Sequence, residues 1–552
     1  MRDPRDRAAE FEANGWWGTL SIADYIDKNV SERPDAPAFI ADDEILSWAQ
    51  YSNYSSIFAS SLISSGIDTD QKVAVMLPDG PSVHAAFVGT EKAGVVAVGI
   101  GPRAGEAEIE YLLRKTGAAN FATHAVVNGR PAEELLEGLR RRGVTIDRHI
   151  CVPDRSDSHD NITVNGNVAI DRTEILHDDI TKRRLGPNDL WLLNSTSGTT
   201  GMPKCVTQYM QRWMAYHKIV EQLAEVGPDD VMMSVVPAQF GFGLWTSHFT
   251  PTMLGIPCVV LPRFSPKTMI DALEKHNVSL LAAVTTQFIL MLNDSEVAKH
   301  DFSSLRVMWT GGETVPYARA AEFEERTGAF VLQFFGSNET GAVSATSIHD
   351  TRELRLSTCG KPIPVMETRL FHPDTGEDVT GTGQSGVPGV RGPVTCAGYY
   401  DDSAANDELF TADGWMLMGD IVSIAEDGYL RVEGRKSDFI IRGGKNISAR
   451  VVEEQVATHP TVALSAAVAV PDDVFGQRVG VYVVFHEGRS ATEAELLAHL
   501  DSQGYSKEYF PEYFIVVDSL PMASGGKVAK GTLKDDVLKR HNEGSLRRAG
   551  SK

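Results

Sequence analysis

The sequence predicts an α/β protein in unequal parts: a large N-terminal domain of α/β subdomains, then a stretch of short strands, then a small α+β C-terminal domain. Three observations carry this. The 552 residues are too many for one hydrophobic core and divide into two or more domains. Through the first two thirds, apolar runs of strand length alternate with helical periodicities, the pattern of largely parallel sheets. After about residue 365 the texture changes to short strands with Gly-rich turns, and beyond about residue 435 helix and strand mix again.

In chain order, Ile22, Tyr25, Ile26 and Val30 mark one face of a helix, and Lys72-Val73-Ala74-Val75-Met76-Leu77 reads as a buried strand stopped by Pro78. Helical stretches at about 47–65 and 81–93 flank it, and 94–98 follows as another strand. The alternation continues through strands at 256–261, 280–284, 306–309 and 331–334, with a helix over 316–326 closed by Gly328. Asp427-Gly428 between two apolar runs predicts a hairpin. Near the end, 463–470 and 479–485 read as strands, and Ser490-Ala491-Thr492-Glu493 as a capping box leading into Leu496, Leu497 and Leu500. No internal repeat is present.

Composition narrows the function classes. No run approaches the roughly 20 apolar residues of a membrane span. The charged start, Met1 to Arg7, has no apolar segment behind it, so no signal peptide or anchor is expected and a cytoplasmic location follows. Five cysteines (Cys151, Cys205, Cys258, Cys359, Cys396), far apart and never in a Cys-x-x-Cys pair, read as free thiols rather than a zinc site. With 52 basic and 74 acidic residues the net charge is −22, which makes nucleic acid a poor partner. An anionic nucleotide requires a local concentration of cations, and one lies near 435–445.

The chemistry starts at Thr196-Ser197-Gly198-Thr199-Thr200-Gly201-Met202-Pro203-Lys204, directly after an apolar segment. Its glycines permit close backbone approach to an anion, its hydroxyls add donors, and Lys204 adds charge. The spacing is not the Walker pattern. Alone, such a loop is equally a surface turn. Downstream stand Gly311-Gly312-Glu313, Phe335-Gly336-Ser337-Asn338-Glu339, Trp415-Met416-Leu417-Met418-Gly419-Asp420, the basic run from Gly434 to Ile447, and Pro521-Met522-Ala523-Ser524-Gly525-Gly526-Lys527.

In this order, over about residues 20 to 535, the motifs resemble those of the adenylate-forming superfamily, which comprises acyl-CoA synthetases, peptide synthetase adenylation domains and luciferases. The resemblance implies that residues 1–436 form the large domain, including a small β-barrel-like subdomain, and that 437–552 form a small mobile domain turning about Ser437. It implies that Thr196 to Gly201 and Lys204 hold the β- and γ-phosphates of ATP, and that Gly311, Gly312 and Glu313 lie along the adenine. Phe335, Gly336 and Ser337 belong to the same nucleotide site. Glu339 becomes the Mg²⁺ ligand, a hard oxygen donor suited to a hard cation, with Asn338 near the α-phosphate. Asp420 is placed to accept from both ribose hydroxyls, Arg435 to contact ribose or phosphate, and Lys527 to reach the substrate carboxylate and α-phosphate. The Gly443-Gly444 turn matches the loop that lines the coenzyme A tunnel.

Several positions depart from the family pattern. Cys205 stands where glycine is frequent, Phe335 lacks the usual tyrosine hydroxyl, Asn338 and Met418 replace threonines, and Ser437 replaces an Asp or Lys pivot. The acyl pocket is expected around Phe240, Gly241, Trp245, Thr286 and Gly341, whose aromatic and small side chains suit a bulky apolar carboxylic acid. The implied activity is ATP-dependent acyl-CoA synthesis through an acyl-adenylate. An enzyme that stops at the adenylate, or that loads a carrier protein, is the alternative. Whether the chain forms a homodimer stays open.

Overall fold

A computed structural model describes residues 2–155, 160–195, 203–313, 315–435, 438–443, 445–523 and 527–549, and only the backbone of Asn446. Two sheets with parallel centres build the large part. In the first, Arg148–Cys151, Asn120–Thr123, Lys72–Val75, Val96–Gly99 and Leu192–Ser195 run parallel, and Cys205–Gln208 closes one edge antiparallel. In the second, Pro37–Ala41, Cys258–Val260, Met232–Ser234, Leu280–Ala282, Val307–Gly311 and Phe330–Ser337 run parallel, with Gly341–Ala345 folding back antiparallel.

These strands lack polar alternation because both faces are covered; Val73, Ala74 and Val75 are fully buried. Helix Trp48–Ser64 starts where Ser47 and Gln50 form a reciprocal capping box. Helix Pro81–Ala93 opens with proline at its first turn and stops at left-handed Gly94, and all its residues are buried. It is thus a core element rather than an amphipathic surface helix.

The expected hairpin forms between Asp420–Ile424 and Leu430–Arg435, with Gly428 at φ +80° in the turn. Beside it, Glu367–Phe371, Val387–Arg391 and Met416–Leu417 make a three-stranded antiparallel sheet. The C-terminal part is a separate sheet in which Gly476–Phe485 pairs with Val462–Asp472 and Tyr513–Val516, and the hairpin Phe439–Arg442/Lys445–Ser448 joins its edge. Helices Ala449–Ala457, Glu493–Ser502 and Lys530–Asn542 accompany this sheet, which has its own cores around Val452, Val479 and Leu496 and around Val470, Tyr482 and Val537.

One expectation is corrected. The capping box of Glu493–Ser502 is Thr492 with Glu495, not Ser490 with Glu493. The S/T-x-x-E spacing occurs twice in succession, and the register that buries Leu496 and Leu500 selects the second. The five cysteines are free thiols. Among the described residues, no helix is long and apolar enough to cross a membrane.

Candidate active site

In open parallel sheets, ligands bind beyond the carboxyl ends of the strands. Four strands deliver candidate residues to such ends. Leu192–Ser195 runs into the segment 196–202, Leu280–Ala282 into Thr285 and Thr286, Val307–Gly311 into Gly312 and Glu313, and Phe330–Ser337 into Asn338 and Glu339. The phosphate-loop candidates Thr196, Ser197, Gly198, Thr199, Thr200 and Gly201 lie outside the described residues, as do the hinge candidate Ser437 and Gly444. The loop's anchor points are described: Ser195 pairs with Cys205, so its two ends sit side by side on adjacent strands. Lys204, at its downstream end, places its ammonium 4.9 Å from the centre of the Tyr399 ring and 3.9 Å from Glu408.

Tyr399 in turn donates from its hydroxyl to Glu339 Oε1 at 2.7 Å. Burial first, and the neighbouring carboxylate second, push the tyrosine pKa up, so it stays a donor. The Glu339 main-chain carbonyl accepts from Arg212 Nη2 at 2.9 Å and from the Cys396 N–H at 2.8 Å. Asn338 is equally constrained. Its Nδ2 donates to Asn194 Oδ1 at 2.8 Å, and its Oδ1 accepts from Asn194 Nδ2 at 3.2 Å and Gln208 Nε2 at 3.1 Å. Gly241 lies against this amide: a Cβ there would meet Asn338 Oδ1 at 2.8 Å and the Trp213 ring at 2.9 Å.

Asp420 and Arg435 face each other across the hairpin, with Arg435 Nε donating to Asp420 Oδ1 at 3.2 Å. A cavity of about 390 Å³ lies between Lys204, Tyr399, Met418 and Gly419, linking the start of strand Cys205–Gln208 to the residues just before Asp420.

From the small domain, Lys527 reaches this surface. Gly312 is held at φ +76°, and a Cβ on it would sit 2.5 Å from Lys527 Nζ; only glycine allows both the turn and the approach. The neighbouring Val528 N–H donates to Glu313 Oε1 at 3.2 Å, and Thr286 Oγ1 donates to Glu313 Oε2 at 3.5 Å. Burial pushes the Lys527 ammonium down from the usual lysine range, while Glu313, Asp420 and Glu339 oppose that shift. Burial raises the Glu313 carboxyl, with Lys527 acting against it. Lys527, Glu313, Asp420, Arg435 and Glu339 thus share one electrostatic environment, although more than 200 residues separate the first of them in sequence from the last.

The acyl-pocket candidates are more dispersed. Trp245 is fully buried, with ring centres 4.6 Å from Tyr216, 5.5 Å from Trp309 and 5.6 Å from Phe334, so it packs as core. It stands in a π-helical stretch, Leu244–Phe249, that follows half-buried Phe240. Gly341 packs against Val394, Thr286 is buried beside Glu313, and Gly336 and Ser337 stay half-buried at the strand end. Phe335 is buried. In the small domain Gly443, at φ +58°, donates its N–H to the Phe475 carbonyl at 2.8 Å.

Sequence reasoning missed Asn194, Gln208, Arg212 and Tyr399. The signal for the first three was a polar side chain inside an otherwise apolar strand or a buried helix face, where an unpaired group is costly and a partner is implied. Tyr399 carried none, since its partner lies 60 residues away.

A two-sheet α/β domain with loops converging at strand ends, joined to a small α+β domain that inserts a lysine, defines a two-domain adenylate-forming enzyme. A family model for AMP-binding enzymes matches residues 26–400, and one for the C-terminal domain of AMP-binding enzymes matches 451–527. The chain belongs to the AMP-binding enzyme family. It is 26% identical over 536 residues to the medium-chain fatty-acid–CoA ligase of Escherichia coli (strain K12), covering 97% of this chain and 93% of that one. To the salicyl-AMP ligase / salicyl-S-ArCP synthetase of Mycobacterium tuberculosis it is 29% identical over 537 residues, covering 96% and 92%. The crystal structure of an anthranilate CoA ligase in complex with anthranoyl-AMP superimposes with a TM-score of 0.83 at 20% identity, over 95% of this chain and 98% of that one.

Proposed function

We propose that the protein is an ATP-dependent acyl-CoA synthetase that converts a bulky apolar carboxylic acid, aromatic, alicyclic or polycyclic, to its acyl-adenylate and passes the acyl group to coenzyme A. The observation that carries this reading is the insertion of Lys527 from the small domain onto Gly312, within the field of Glu313, Asp420, Arg435 and Glu339. Residues 1–436 act as the adenylating domain and 437–552 as the moving one, turning about Ser437.

A carboxylate is a poor electrophile, and AMP provides a leaving group. In the first half-reaction a substrate carboxylate oxygen attacks the α-phosphorus of ATP in line and pyrophosphate departs. Lys527 stabilises charge at the attacking carboxylate and α-phosphate, Lys204 and the 196–201 segment hold the departing phosphates, and Asp420 with Arg435 fixes the ribose. Glu339 suits Mg²⁺: it is a hard oxygen donor held in place by Tyr399, and Mg²⁺ takes one or two carboxylates and completes its sphere with phosphates and water. When bound, Mg²⁺ would neutralise phosphate charge. For the second half-reaction the small domain rotates, withdraws Lys527 and presents Gly443 and Gly444 to the pantetheine arm, whose thiol displaces AMP.

Loading of a carrier-protein thiol is the second reading, favoured by similarity to the salicyl-S-ArCP synthetase and by the Ser437 pivot. The test is pyrophosphate and AMP release with MgATP over aryl, alicyclic, polycyclic and fatty acids, with and without coenzyme A. Acid-dependent pyrophosphate with a thioester formed only when coenzyme A is present is expected. Pyrophosphate without thioester supports the carrier reading, and no release with any acid removes both.

A further inference from the structure

The strands on either side of the phosphate loop each bury one carboxamide, and the two meet at the carboxamide of Asn338. Asn194 and Gln208 are fully buried. Gln208 Nε2 donates to Asn194 Oδ1 at 2.8 Å and to Asn338 Oδ1 at 3.1 Å, while Asn194 and Asn338 exchange hydrogen bonds at 2.8 and 3.2 Å. Both N–H groups of Gln208 are thereby used. Its Oε1 accepts from Arg212 Nη1 at 2.7 Å and Trp213 Nε1 at 3.1 Å. The fully buried Arg212 continues to the carbonyls of Val394, at 2.8 Å, and Glu339, at 2.9 Å. Asn194 Nδ2 also reaches the Gln239 carbonyl at 3.2 Å, immediately before Phe240. A buried amide ring with its donors and acceptors matched is rigid and specifies one geometry.

We propose that Asn194, Gln208 and Arg212 are positioning residues that lock the strands Leu192–Ser195 and Cys205–Gln208 to the Asn338-Glu339 segment, fixing where the magnesium-binding carboxylate stands relative to those strand ends. The inference rests on the proposed function in treating Glu339 as the metal-facing carboxylate. It changes the role of Asn338, whose Oδ1 and one N–H are spent inside the ring, leaving one N–H to face a ligand. The replacement of a hydroxyl side chain by a carboxamide at 338 thus belongs with Asn194 and Gln208 as one set. Positioning groups of this kind change metal affinity or activity by about 10- to 100-fold when removed.

The test compares wild type, Asn194→Leu, Gln208→Leu, Asn338→Ala and the Asn194→Leu/Asn338→Ala double variant. Two quantities are read: MgATP affinity by calorimetry, which needs no acid substrate, and the magnesium concentration giving half-maximal pyrophosphate release. Gln333→Leu is the control. Gln333 is a buried amide bonded to the Arg355 and Leu356 carbonyls, outside the ring, so its loss lowers the melting temperature only. The expected result is a rise of about tenfold or more in MgATP Kd and in magnesium half-saturation for each leucine variant, and a double variant no worse than its poorer parent. Gln208→Glu keeps the acceptor for Arg212 and Trp213 while removing both donors, and it takes the place of the leucine variant if that one does not fold. Lowered melting temperature with unchanged magnesium dependence, or additive losses in the double variant, overturns the proposal. Wild type that binds MgATP but activates no acid refutes the proposed function while the calorimetry still decides the network. Wild type that does not bind MgATP overturns both.

Discussion

Glu339 and Lys527 converge on one surface but are held there in opposite ways. Glu339 sits on the large domain with its carboxylate bonded to Tyr399 and its carbonyl bonded to Arg212 and Cys396, next to an amide ring with no spare acceptor. Lys527 arrives on a turn whose only described main-chain bond to the large domain is Val528 N–H to Glu313. Under the proposed function the difference is a division of labour: the fixed half would define where ATP and metal bind, and the lightly held half would supply charge when the acid reacts and then leave. Low local contact density is a requirement for a part that must move.

The comparison makes a sharp first prediction. Lys527→Ala should lower acid-dependent pyrophosphate release about 100- to 1000-fold, the usual cost of removing a preorganised charge at a reacting oxygen, while MgATP affinity stays within about threefold. Equal loss of binding and turnover would place Lys527 in the fixed half and break the division. Glu339→Gln should do the reverse, lowering turnover about tenfold to 100-fold together with a clear rise in magnesium requirement. A turnover loss that saturating magnesium leaves untouched would remove the metal assignment.

How far the sequence revealed all this follows from the reach of the interactions. The α/β alternation was legible because strand and helix periodicities are local: 72–77 announced itself through an apolar run stopped by Pro78, with helical stretches on either side. The Asp427-Gly428 hairpin was equally plain, and it puts Asp420 opposite Arg435. The amide ring was not legible, since Asn194 and Asn338 are 144 residues apart and become partners only when two sheets stack. Trp245 illustrates the converse. Its aromatic ring suited a ligand wall, yet four ring residues from four segments close around it as core, and no local pattern separates the two roles.

Glu313 tests the contact between the halves. Burial already lowers the Lys527 pKa and Glu313 opposes that, so Glu313→Gln lowers it further. Adenylation needs the ammonium, which is lost as pH rises through the pKa; the basic limb of the pH–rate profile therefore moves to lower pH. Turnover below that limb should fall by about tenfold, in line with one charge-assisted contact. A limb that stays in place, or moves to higher pH, means that the lysine faces a different partner during the reaction.

The smallest effect is expected at Gly241, on the fixed side. An alanine methyl there meets Asn338 Oδ1 at 2.8 Å and the edge of Trp213 at 2.9 Å, and neither can withdraw without disturbing Gln208, which bonds to both. Overpacking of this kind costs about 1–3 kcal/mol, so Gly241→Ala should lower the unfolding midpoint measurably. Because the strain falls on the amide ring and not on the lysine turn, the remaining folded enzyme should show a few-fold higher magnesium requirement with an unshifted basic limb. The Glu313 variant should show the opposite pair of changes. Were both variants to move the same limb, the two halves would be mechanically one, and the carboxylate and the lysine would be set by a single shared packing rather than by separate supports.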